Sequence, residues 1–213
     1  PDTAGRSILA RILAAADRGV RVRILLDDSF TVGEGDAISA VASHPNIDVR
    51  IYNPFTRRPD DLVLRQVANV TEFSRVDHRM HNKAMITDGR VAIVGGRNLA
   101  DEYFGLNPTA NFRDFELLTF GPGVAGLAVL FDRYWRSPWS VPAQDVLGQQ
   151  ASGRSLATLQ SALTAPAATV GPAESATERD AAWRALADES LPGQVSVLAD
   201  EPAQTDPARE TPN

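Results

Sequence analysis

Apolar residues recur at Ile8, Leu9, Ile12 and Leu13 inside "GRSILARILAAADRG", a run rich in helix formers that ends at Gly19. That spacing collects them on one face and predicts an amphipathic helix stopped by the glycine. "VRVRILLDD" follows at once, alternating at first and then continuous in branched residues. It predicts a strand with a buried end. A Gly-containing turn, a short helix near "DAISAVASH" and the strand "DVRIYNP" come next. The order helix–strand–helix–strand implies βαβ units, and so an α/β fold with a mixed, mostly parallel sheet sandwiched between helices.

From Phe55 to Met80 the pattern weakens to one helix around "DLVLRQVANV" and a loop. "KAMITDG" and "RVAIVGG" then predict two strands joined by a tight Asp88-Gly89 turn. "NLADEYFG" predicts a short helix, with Tyr103-Phe104 packing beneath whatever site lies nearby, and "FRDFELLTFG" another strand. "PGVAGLAVLFDRYWRS" predicts a long helix with Val124, Leu127, Leu130, Phe131, Tyr134 and Trp135 on its apolar face, ending at Ser137-Pro138. Trp135 and Trp139 are expected to pack inside rather than to meet a membrane.

After about residue 150 the texture turns to Ala, Pro, Thr, Ser and Glu. Helical pieces are expected at "SLATLQSALTA" and "ERDAAWRALADE", then a lone strand at "QVSVLAD" that either rejoins the first sheet or opens a further module. Residues 1–140 therefore form the expected lobe, and 141–213 a partly helical, partly disordered linker. "PDTAGRS" has no initiator Met and no signal-peptide pattern, and reads as a cut end. No apolar run is long enough to span a bilayer.

Composition narrows the chemistry. With no cysteine among 213 residues, disulfides, thiol catalysis and thiolate-held metal are excluded. The histidines are His44, His78 and His81; His44 has no lysine following it, and His78 reads as a surface-loop residue, with lining of a ligand pocket as the alternative. Asp27-Asp28 after a buried strand could hold a cation, but capping of the following loop is the expected role. The net charge is −6, of which the tail from residue 151 carries −5, so the body is close to neutral at −1. Residues 57–97 hold eight cations against five acids, a balance that suits a small anionic group better than a long polyanion.

One position in that basic zone differs from the others. Lys+Arg total 21, yet only Lys83 is a lysine. It stands two residues after His81, so extended backbone projects both side chains from one face. Asp88 closes the strand, and the return strand runs into Gly95, Gly96, Arg97 and Asn98. Glycines at a strand end allow close approach to a ligand, and Asn98 offers an amide donor. An imidazole, an ammonium, an amide and bare backbone at one edge suit a phosphate, its oxygens held while histidine attacks phosphorus. A compact ammonium in an arginine-rich chain argues that a point charge, not a planar fork, is needed there.

"HNKAMITDGRVAIVGGRN" resembles the phospholipase D signature, H-x-K-x4-D-x6-G-(G/S)-x-N, at every specified position. Its surroundings resemble bacterial cardiolipin synthases over residues 4–140, in "AADRGVRVRILLDD", "GGRNLADEYFG" and "FRDFELLTFGPGVAGLAVLFDRYWRS". The resemblance implies that His81 either attacks phosphorus or protonates the leaving oxygen, and that Lys83 and Asn98 hold phosphoryl oxygens beside Gly95 and Gly96. It gives Asp88 a structural part near the turn, and makes Asp114, with Glu116 as runner-up, the acid behind the histidine. Gly96 stands where many members have serine, so that hydroxyl donor is missing.

The resemblance also implies no metal and no cofactor, a phospholipid substrate, a bacterial protein peripheral at the inner membrane or cytoplasmic, and phosphatidyl transfer through phosphohistidine, most characteristically cardiolipin synthesis. Family members bring two such motifs together, whereas this chain contains one. The other half is expected from a second lobe or a homodimer partner. A homodimeric phosphodiesterase acting on nucleic acid and a non-catalytic phosphate-binding lobe are the alternatives, nucleic acid being disfavoured by the near-neutral body.

Overall fold

In the computed structural model, which describes residues 2–69, 71, 78–148, 155–163, 175–199 and 202, the chain builds two small sheets and the helices that cover them. The basic residue Arg75 and the Pro- and Thr-rich end lie outside the described residues. Helix α1, Thr3–Asp17, starts where the Asp2 side chain accepts from Gly5 N–H at 3.0 Å, and ends at Gly19, whose φ of +93° suits only glycine. Its buried Leu13 and Ala16 pack on Ile47, Val49 and Ile51 of the neighbouring sheet and on Ile38 and Val41.

That first sheet has the order β1-β2-β6. β1 (Val22–Asp27) and β2 (Ile47–Tyr52) run parallel, joined through α2 (Gly35–Ala42), as the alternation of helix and strand requires. β6 (Ser140–Pro142) returns antiparallel to β2. Short α3 spans Leu62–Ala68. The second sheet, β3 (Lys83–Thr87), β4 (Val91–Gly95) and β5 (Glu116–Phe120), is antiparallel throughout. Helix α4, Gly123–Arg136, lies against it with Val124 fully buried.

The α/β class with helix-covered sheets is as expected, but the expected dominance of parallel pairing is not found. Among the described residues one pairing is parallel and three are antiparallel. Two connections in the second sheet account for it. Asp88 (φ 52°) and Gly89 (φ 64°) form a tight hairpin turn that folds β4 straight back on β3. The chain then lays β5 on the free edge of β4 in the opposite sense, where no crossover helix is needed.

Three smaller expectations shift. "NLADEYFG" contains only a 3-10 turn at Asp101–Tyr103. The strand expected from residue 112 begins at Glu116, so Asp114 lies before it. The described part of "QVSVLAD" pairs with no strand; Val195 and Val197 instead lie against Gly123 and Gly126 of α4, where any side chain would crowd them. The chain after residue 140 first packs on the lobe, through β6, α5 (Ala143–Leu147) and α6 (Leu156–Leu163), whose Leu159 and Leu163 join the main core. Helix α7, Ala176–Asp188, opens on a full capping box between Ser175 and Glu178 and stays exposed. Trp139 is buried with Tyr52 and Tyr134, and Trp135 stacks on Phe131 at 5.7 Å.

At the end of β1 the chain buries two carboxylates in succession. Asp28 is wholly buried and accepts from Phe55 N–H at 2.7 Å and from the Thr31 hydroxyl. Arg58 and Arg65 face the same carboxylate, at 2.5 and 3.4 Å. Burial pulls the Arg65 guanidinium below its ordinary range while Asp28 pulls the other way. Asp28→Ala, which strips both arginines of that counter-charge, is expected to cost about 3–5 kcal/mol in urea unfolding. A loss below about 1 kcal/mol would equate the network with a surface pair. Gly89→Val forces a β-branched residue into the left-handed region and should lower stability by about 1–3 kcal/mol, read from thermal unfolding.

Candidate functional site

The stretch leading into β3 is held by the carboxyl ends of β1 and β2 in the other sheet. Asn53 is fully buried at the end of β2 with φ 47°. Its backbone N–H donates to the Trp139 carbonyl at 2.7 Å, and its side-chain amide to the His78 carbonyl at 2.9 Å. The His78 ring lies 5.9 Å from the Trp139 ring. Arg79 meets Asp27 at 3.2 Å and covers the Phe55 ring at 4.5 Å. Met80 gives its N–H to Asp27 at 2.8 Å and packs its side chain on Tyr52, Tyr134 and Trp139. His78 thus serves the structure of this junction.

His81 follows, exposed, one residue short of the strand neighbour Asn82. Lys83 opens β3, and its ammonium turns back to donate to the His81 carbonyl at 2.7 Å. Lys83 stands opposite Gly95, and Gly95 opposite Glu116, so one rung of the sheet carries a cation, a bare backbone and a carboxylate. Residues opposed in this way project on the same face.

The glycine pair has a use that its sequence did not disclose. A side chain at Gly95 would collide with the Phe115 carbonyl and the Glu116 backbone. One at Gly96 would collide with the Asp114 carboxylate. The close approach these glycines permit is therefore made by residues 114–116, which cross directly over them. The Asp114 carboxylate fills the space of the absent residue-96 side chain, and its Oδ1 accepts from Phe115 N–H at 2.8 Å. Glu116 pairs with Arg97 at 2.7 Å. Among the described residues neither acid bonds the His81 ring.

Asn98 donates its amide to the Tyr103 hydroxyl at 3.0 Å. Tyr103 in turn leans on Phe112 at 5.1 Å, and Phe104 lies under Arg97 at 5.2 Å, which is the packing expected of that dipeptide. Asp88 occupies the hairpin tip. Five residues beyond Lys83 along β3, it lies about 17 Å away at the usual strand rise, and so does not join the cluster. The structure gathers His81, Lys83, Gly95, Gly96, Asn98 and Asp114 at one end of the sheet and leaves Asp88 at the other.

Asp27 is the contributor that sequence reasoning did not single out for the site. Its signal is present in "ILLDD", a carboxylate pair at the carboxyl edge of a buried strand, where loop capping is the expected role. Capping is part of what is found: Asp27 also accepts from Ser29 N–H at 2.9 Å. With arginines and backbone amides on both carboxylates, the cation alternative loses its ligands. No group of three or more His, Cys, Asp or Glu gathers as a metal site among the described residues, and none of their helices is long and apolar enough to cross a membrane.

Comparison with known proteins meets the same residues. Residues 3–116 match the family model described as cardiolipin synthase, PLD-like domain, and so include the whole stretch from His81 to Asp114. The chain is 46% identical over 146 residues to cardiolipin synthase C of Escherichia coli (strain K12), covering 68% of this chain and 30% of that protein. It is 32% identical over 127 residues to cardiolipin synthase B of Salmonella typhi, covering 59% and 28%. Against the major cardiolipin synthase ClsA of Bacillus subtilis (strain 168) the identity is 28% over 135 residues, covering 63% and 26%. The chain thus spans less than a third of each of these relatives. A model that matches more than half of the chain identifies the chain as a member of the cardiolipin synthase, phospholipase D-like domain family.

Proposed function

We propose that this chain is one lobe of a phosphatidyltransferase that makes cardiolipin through a phosphohistidine. The observation that carries the reading is the junction at His81 and Lys83, an exposed histidine whose backbone carbonyl accepts from the chain's single lysine at the open end of the second sheet. A ring nitrogen of His81 attacks phosphorus of a phospholipid, the bond to the headgroup oxygen breaks, and that oxygen leaves with a proton from the opposing motif. The headgroup hydroxyl of a second lipid then attacks phosphorus, gives its proton to the opposing motif, and displaces the imidazole as the phosphorus–nitrogen bond breaks. The opposite assignment, in which His81 supplies the proton, uses the same geometry with the roles exchanged.

Lys83 neutralises charge that develops on the phosphoryl oxygens, and Asn98, oriented by Tyr103, offers a second donor. Asp114, whose carboxylate lies against Gly96, is the acid assigned to the imidazole once substrate and the second motif are present. Apo contacts of this kind are often long and tighten only in the reacting complex. His44 cannot provide the second imidazole, since it is buried with Nε2 against Asp17 at 3.1 Å. The second motif therefore comes from a further lobe or from another copy of the chain, and this lobe alone is inactive. The substrate places the work at a membrane surface. The near-neutral body weakens the case for a long polyanionic substrate.

Trapping with radiolabelled phospholipid on the two-motif protein tests the mechanism. Acid-labile label that disappears in His81→Ala and persists when the other motif's histidine is replaced makes His81 the nucleophile; label retained in His81→Ala sinks that assignment. Lys83→Arg keeps the charge but not its compact shape, and is expected to lower kcat about 10²- to 10³-fold with little change in unfolding midpoint. Activity within a factor of about two of wild type would remove Lys83 from the transition state.

A further inference from the structure

Among the described residues, no hydrogen bond or ion pair holds the His81 ring, and the residue is exposed. Whatever aims it must act through the backbone. The two residues before it are the ones tied most directly to the rest of the molecule, and both ties converge on Asp27. That side chain is 3% exposed at the carboxyl end of β1. Its Oδ2 accepts from Met80 N–H at 2.8 Å. Its Oδ1 accepts from Ser29 N–H at 2.9 Å and from Arg79 Nη1 at 3.2 Å. A buried carboxylate that receives a backbone N–H makes a short, directional, charge-assisted bond. It fixes the peptide plane one residue before the imidazole.

We propose that Asp27 is a positioning residue for His81, setting the reacting imidazole against the Lys83 ammonium through the backbone of Arg79 and Met80. The inference rests on the reading of His81 as the reacting residue. Its rival is plain capping, in which Asp27 matters only to the turn through Ser29. An amide separates the two. In Asp27→Asn, Oδ1 can still serve Ser29 and Arg79, but Nδ2 then points a donor at the Met80 donor. The cap survives and the hold on Met80 is lost.

The test uses the 213-residue chain and its Asp27→Asn variant, with Asp132→Asn as the charge-matched control on the exposed Arg23 and Arg136 pairs. Hydrogen exchange reads the Met80 amide, and 15N spectra read the His81 ring during titration with inorganic phosphate. In Asp27→Asn, exchange of the Met80 amide should speed up about tenfold or more. The phosphate concentration that half-shifts the His81 ring should rise about tenfold. His44, buried on Asp17, and the unfolding midpoint should match the Asp132→Asn control. Unchanged Met80 exchange, or an unchanged His81 response, overturns the proposal, as does a loss confined to the unfolding midpoint. A wild-type His81 ring that ignores phosphate counts against the phosphate reading itself; the shift of the His81 backbone amide in Asp27→Asn then tests the positioning, and no shift overturns it. Should Asp27→Asn not fold, Arg79→Gln loosens the same anchor with Asp27 intact, and an unaltered His81 response in that variant overturns the proposal too.

Discussion

Two carboxylates in succession leave the end of β1 for the interior, and most of what surrounds the site depends on how they are neutralised. An ionised side chain taken out of water is costly unless charge and hydrogen bonds replace its hydration. Asp28 meets that demand from one direction, with Arg58, Arg65, Thr31 and Phe55 N–H. Asp27 meets it from the other, with Arg79, Met80 N–H and Ser29 N–H. The partners belong to segments far apart in the chain, so satisfying the two acids also assembles the loop after β2 and the approach to β3. The electrostatic requirement of one dipeptide thereby becomes a constraint on where His81 emerges.

The second sheet works by the opposite device, removal of side chains. Gly95 and Gly96 let residues 114–116 cross their backbone, which brings Asp114 and Glu116 to the strand end that carries Lys83. The Asp114 carboxylate takes up the room that a side chain at position 96 would need. Glu116, the other acid considered for the histidine, is engaged by Arg97 instead.

Legibility in the sequence followed the range of the interaction. Helix α1, the β1–α2–β2 unit, the Asp88-Gly89 hairpin and the length of α4 all declare themselves through periodicity, caps and turn residues within a few positions. The H-x-K spacing and the solitary lysine mark the candidate site in the same local way. Pairing sense did not, because β6 and β5 reach their partners across the chain and no local pattern records the direction of arrival. "QVSVLAD" has strand-like alternation, yet the described residues use its valines to fill a groove of small residues on α4. Alternation reports which side chains can be buried, without saying whether a ladder is there to receive the backbone.

By itself the sequence determined most of the elements, the motif and the family resemblance, since each is written in residues close to one another along the chain. Only the tertiary structure decided what the acids and glycines do. It turned Asp27 from a cap into an anchor for the motif, gave the space at Gly96 to Asp114, and set Asp88 apart at the hairpin tip. Those outcomes depend on desolvation and steric contact between distant segments, and such terms exist only once the chain has folded.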